Sequence, residues 1–166
     1  MKTRDIRSSK KDNIDLYDIF DLLGLRKLGA YEKKIHFNKM QNVIMEEFYF
    51  NVISSIKDKE LLLNLDQMVK QKETPSKIIE FLSSSIPNFA EELIGFIRSR
   101  KKEYIKNYYK NIVEDLDRRL TIAQNNRSKI YVKKQLKYYL SAQKLANKEE
   151  WGNLSVLTVR SNLSVT

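Results

Sequence analysis

Ile78 to Ile97 reads IIEFLSSSIPNFAEELIGFI, and how it is read decides the fold. It is the densest apolar block of the chain, and Pro87 interrupts it. Proline lacks the N–H that a helix interior uses and pushes its predecessor out of the α region, so one helix is expected to end before Ile86. Asn88 is expected to cap the next, with Glu91 at its third position reaching back as in a capping box. Ile78, Ile79, Phe81 and Leu82 share a face before the break, and Phe89, Leu93, Phe96 and Ile97 continue it afterwards. The expectation is two helices meeting at a fixed corner, with Phe81 and Phe89 buried where the core nucleates.

Towards the N-terminus, Thr74-Pro75 is a helix start with Thr at the cap and Pro at the first helical position. Asp58 caps the helix before it, which turns Leu61, Leu62, Leu65, Met68 and Val69 inward. A longer helix, from about Tyr31 to Ile56, has Ile35, Val43, Ile44, Phe48, Val52 and Ile56 as its expected inner face. The triplet Phe48-Tyr49-Phe50 points in three directions, so at least one ring must meet another helix, a partner or solvent. Asn13 or Asp12 caps a short helix over Ile14 to Leu23, which Gly24 ends in the left-handed conformation.

Towards the C-terminus no breaker appears until Asn125-Asn126, so the helix begun at Asn88 should run far past Ile97. Tyr104 or Ile105, Tyr108, Ile112, Leu116 and Leu120 supply its stripe. A returning helix over Lys129 to Lys148 places Leu136, Tyr139 and Leu140 inside and makes an antiparallel hairpin. In the last stretch NLSV occurs twice, at Asn153–Val156 and Asn162–Val165; a tail is preferred there over a strand at a sheet edge. The fold class read from this pattern is all-α, a small helical bundle continuing into a long basic antiparallel hairpin. Its expected parts are a mobile arm over 1–12, a helical domain over 13–97, a basic tyrosine-rich hairpin over 98–150 and a tail over 151–166.

Composition agrees with helices: four Gly and two Pro in 166 residues are too few for a turn-rich β fold. The absence of cysteine excludes disulfides, thiolate metal sites and cysteine nucleophiles. No apolar run approaches the roughly 20 residues that cross a bilayer, and the charged N-terminus is followed by no signal core. A cytoplasmic protein is expected. Charge is unevenly placed. Residues 1–95 hold 15 basic and 15 acidic side chains, whereas residues 96–166 hold 16 against 6 and so carry the whole net +10. Six of the nine tyrosines lie in that second part.

Leu22-Leu23-Gly24-Leu25, the long second helix, and Ile79-Glu80-Phe81-Leu82 followed by Ile86-Pro87-Asn88-Phe89 resemble an uncharacterised family of small helical domains known mainly from uncultivated small-genome bacteria. The resemblance covers residues of about 16–105, with the Ile-Pro-Asn-Phe string as its specific part. It implies a compact all-helical domain and no assigned activity. The chain departs from the acidic character usual in such domains, and residues 106–166 lie outside the match.

Chemistry is sparse. His36 is the one histidine, reads as a partly buried helical side chain, and has only Glu32 among acidic residues at helical spacing. Glu46-Glu47 and Glu91-Glu92 are adjacent and diverge by about 100° on a helix, so neither makes an acid–base couple. The four glycines are isolated, which excludes phosphate-loop and dinucleotide fingerprints. No catalytic residue, metal site or cofactor is expected. The basic residues give the candidate site. Arg98, Arg100, Lys101 and Lys102 form a cluster, and Lys133, Lys137, Lys144 and Lys148 fall within an arc of roughly 60°. Such a stripe can follow a phosphate backbone. Tyr131, Tyr138 and Tyr139 beside it either stack on bases or dock a partner. Two functions stay open: a non-enzymatic adaptor that binds protein, and a nucleic-acid binder acting on RNA or DNA through the hairpin. An anionic membrane surface is disfavoured, because the lysine stripe lacks an opposed, purely apolar face.

Overall fold

The structure, a computed structural model, describes residues 12–160; residues 1–11 of the arm expected over 1–12, and the second NLSV copy, lie outside the described residues. Every regular element among the described residues is helical, as expected for an all-α fold. A 3₁₀ turn over Ile14–Leu16 leads into α1 (Ile19–Leu22), α2 (Ala30–Ser55), α3 (Lys59–Lys70), α4 (Pro75–Ser85), α5 (Phe89–Ile122), α6 (Asn126–Asn147) and α7 (Trp151–Arg160).

The helix ends follow local chemistry. The Asp58 carboxylate accepts from the N–H groups of Glu60 at 2.8 Å and Leu61 at 3.3 Å, and Asn125 accepts from Ser128 N–H at 2.8 Å. Such caps satisfy donors that the first helical turn leaves without partners. Asp18, rather than Asn13 or Asp12, caps α1. Asn13 caps the 3₁₀ turn, so the short helix expected over Ile14 to Leu23 is two pieces. Pro87 stands at the corner between α4 and α5. Asn88 makes that corner with its backbone at φ 61°, a left-handed conformation that asparagine tolerates, instead of the extended conformation of an ordinary cap.

The described residues form two compact units, residues 30–100 and residues 12–29 with 101–160. This replaces the expected domain over 13–97 and the hairpin expected over 98–150. The boundary moves because α1 and the turns beside it supply core to the C-terminal helices. The long helix α5 contributes to both units.

In the unit over 30–100, Phe48, Val52, Leu65, Ile78, Leu82, Phe89 and Leu93 form the buried core. Phe48 meets Phe89 edge-on at 5.4 Å and Phe96 at 5.3 Å between ring centroids, arrangements that suit the aromatic quadrupole. Phe81 is only partly buried, in contrast to the expectation.

The other unit is built on Trp151, Tyr109, Ile105, Leu22, Ile14 and Leu154, all buried. Residues 151–160, expected as part of a tail over 151–166, form α7 instead. Trp151, Leu154 and Thr158 recur at helical spacing and are its buried residues, a period of 3.6 that the alternation around NLSV conceals. α7 packs on α1 and α6. The Thr158 hydroxyl donates to the Asp21 carbonyl at 2.6 Å, and the Asp12 carboxylate accepts from Gly152 N–H at 2.9 Å. A Cβ on Gly152 would lie 2.9 Å from the Tyr17 hydroxyl and 3.1 Å from the Asp12 carboxylate, so a larger residue there would displace both side chains. Gly24 closes α1 at φ 69°.

Candidate functional site

The basic cluster at the middle of α5 is a set of structural partners. Lys101 donates to the carbonyls of Ile14 at 3.0 Å and Tyr17 at 2.8 Å, holding the 3₁₀ turn that packs there. Burial lowers its pKa, against the opposing pull of Asp15 and Asp18. Lys102 binds Glu149 at 2.7 Å, and Lys106 binds the other oxygen of the same carboxylate at 2.9 Å. Arg100 pairs with Glu47 at 2.9 Å and lies 5.1 Å over the Phe96 ring. Arg98 is half-buried and already engaged. The cluster expected to bind a polyanion is thus committed to the fold: a long cationic side chain near a core neutralises carbonyls and carboxylates close to it.

Glu149 shows the strength of this arrangement. Its backbone is left-handed, at φ 58°, a conformation that costs energy for a non-glycine residue. The Lys102 hydrogen bond first, then that of Lys106, holds its carboxyl down to about 2 from an ordinary 4.5. A carboxylate with a lowered folded pKa stabilises the protein above its unfolded pKa and loses that contribution as pH falls towards the folded value. Glu149→Gln should therefore cost about 1–3 kcal/mol at pH 7. The gap to wild type should narrow as pH falls from about 4.5 towards 2. Urea titrations followed by the fluorescence of the single tryptophan, Trp151, at both ends of that range measure it.

The tyrosines divide. Tyr139 is buried, and its ring meets Tyr138 at 5.0 Å and Tyr109 at 6.3 Å, while Tyr109 meets Tyr108 at 5.3 Å. The Tyr109 hydroxyl donates to the Leu22 carbonyl at 2.5 Å. Burial raises the pKa of Tyr108, Tyr109 and Tyr139, so these phenols stay neutral. Tyr139 cannot stack on a base, contrary to the expectation; it belongs to the core because α6 turns Tyr139, Ala142 and Ala146 inward. Tyr138 is half-buried in the same ring chain, and only Tyr131 of the three is exposed. Leu140, expected inside, is also exposed.

Of the lysine stripe, Lys133, Lys137 and Lys144 are exposed on the side of α6 away from its buried residues. They carry no ion pair among the described residues. Lys148 lies at the end of α6, 3.9 Å from Glu150.

A second surface was not foreseen. α2 buries Ile44, Phe48 and Val52, one stripe at spacing four, yet it also exposes Tyr31, Ile35, Phe37, Val43, Phe50 and Ile53. Ile35 and Val43, expected inside, point roughly 140° to either side of Phe48 at about 100° per residue. Phe50 is 74% exposed and Tyr31 76%. Every residue from Ala30 to Lys39 except Lys33 is exposed, including His36, which was expected to be partly buried. The signal in the sequence was the spread of apolar residues right around the helix, of which the Phe48-Tyr49-Phe50 triplet is the plainest piece. One face cannot absorb such a spread.

Among the described residues no group of three or more His, Asp or Glu side chains is placed to hold a metal ion, and no helix is long and apolar enough to cross a membrane. Compared with known proteins, the chain matches no family model, no curated protein and no solved structure.

Proposed function

We propose that this chain is a non-enzymatic protein-interaction module of the cytoplasm, and that it docks through the outward face of α2. The supporting observation is the exposure of Ile35, Val43, Phe50 and Ile53 on one helix of a folded unit. Soluble monomers scatter single apolar side chains, whereas several large ones on one face of one helix mark a binding surface. Phe50, 74% exposed on this face, is of a residue type that anchors interfaces. The unit over 30–100 also holds ten basic and ten acidic residues, so no net charge steers it towards a polyanion.

The runner-up reading, nucleic-acid binding, keeps one supporting observation: the exposed, unpaired Lys133, Lys137 and Lys144 on α6. It loses the α5 cluster and Tyr139 to the fold. A photo-crosslinking residue at position 50, or at position 137, in the protein expressed in its own cell separates the two. Position 50 should give adducts to protein that persist after nuclease treatment. Adducts from position 137 alone, abolished by nuclease, would replace the interaction module with the polyanion binder.

A further inference from the structure

The order of residues on the outward face of α2 identifies a partner. We propose that this face pairs with the same face of a second copy of the chain, antiparallel, about a two-fold axis between Asn42 and Val43. The proposal rests on the interaction reading and specifies its partner.

At about 100° per residue the outward face comprises Glu32, Ile35, Lys39, Asn42, Val43, Glu46, Phe50 and Ile53, in an arc of roughly 100°. The order is self-complementary. In an antiparallel pair centred between Asn42 and Val43, each residue shares a layer with the one equally far beyond the centre on the other copy. Ile35 then meets Phe50, and Phe50 meets Ile35. Lys39 meets Glu46 on one side of the axis, and the same pair recurs on the other. Asn42 and Val43 fill the middle, and Ile53 lies beside Glu32 at either end. Two apolar layers flank two layers of opposite charge, and no layer sets like charges together. A two-fold interface requires this property, because the same patch must serve both partners.

Three observations support a second copy over an unrelated chain. Lys39 and Glu46 are both exposed and make no ion pair within the chain among the described residues, so each is available to the other's counterpart. The unit over 30–100 is neutral, so its two copies do not repel as net charges. The apolar anchors Ile35 and Phe50 lie fifteen residues apart on a continuous helix, about 22 Å, which fits the length of a helix–helix seam. One helix face buries less than a standard interface, so the dimer should be of micromolar strength.

Sedimentation equilibrium of the full-length chain over a micromolar concentration series tests this directly. Wild type should move from 19.7 kDa towards twice that mass. Lys39→Glu alone and Glu46→Lys alone each create two like-charge contacts, and each should raise the dissociation constant at least about tenfold. The double variant Lys39→Glu/Glu46→Lys restores opposite charges and should return to within about threefold of wild type. Far-UV circular dichroism confirms folding of all three, whose altered residues are exposed. A wild type that stays monomeric throughout, or a double variant no better than the singles, overturns the proposal. If the chain is monomeric while position 50 still crosslinks to other proteins, the second copy is rejected and the interaction module stands. If neither occurs, both are rejected.

Discussion

Trp151→Ala should destabilise the chain by about 3–5 kcal/mol, the range for deleting a fully buried large aromatic side chain. Trp151 has no exposed surface and is the largest fully buried side chain among the described residues. It opens α7, whose Leu154 and Thr158 are buried with it, while α6 offers the buried small residues Ala142 and Ala146. Small residues opposite a large ring are how a core fills its volume without strain. Among the described residues the indole N–H has no hydrogen-bond partner, so Trp151→Phe gives up part of the ring but no hydrogen bond there and should cost less than half as much as alanine. Urea titration followed by circular dichroism measures both. A loss below about 1 kcal/mol for alanine would mean that α7 contributes little to the core.

That helix was the least legible part of the sequence, and the reason is physical. Helix starts are local: Asp58 and Asn125 cap their helices, and Pro75 opens α4 at its first position, because these signals involve only neighbours within a turn. The corner at Pro87 was equally readable, since proline carries its own constraint. α7 lacks such marks. Gly152 and the β-branched Val156, Thr158 and Val159 weaken its intrinsic helicity, and tertiary packing of Trp151, Leu154 and Thr158 overrides that preference.

The candidate site was legible in outline only. A charge run shows where cations are dense and not whether carboxylates and carbonyls distant in sequence have claimed them. Glu149 lies 47 residues from Lys102 and the Ile14 carbonyl 87 from Lys101, distances that only the fold closes. The opposite error occurred on α2. Sequence pattern assigns apolar side chains to the core by default, and α2 carries more of them than its single packed stripe can bury. An excess of that kind, spread beyond the packed stripe among polar residues, is the trace a docking face leaves in a sequence. The same reading of exposure gives the phenylalanines of α2 different roles, Phe48 in the core and Phe37 and Phe50 on the surface.

Phe89→Ala should likewise cost about 3–5 kcal/mol, and for a reason that separates packing from mere hydrophobicity. Phe89 is 2% exposed at the first position of α5, directly after the corner that Pro87 and Asn88 make. Its ring meets Phe48 edge-on, and Leu82, Leu93 and Ile78 share the same buried core. Truncation removes the ring contact and leaves a cavity at the corner where two helices turn, with fixed backbone on both sides restricting collapse. Phe50→Ala deletes the same side chain from the exposed face of α2 and should change monomer stability by no more than about 0.5 kcal/mol. The two variants, compared by chemical denaturation at a concentration low enough to keep the chain monomeric, form a matched pair. Equal losses would mean that Phe50 is packed within the chain and that the α2 face is core; a small loss for Phe89→Ala would mean that the corner is not where this unit is held together.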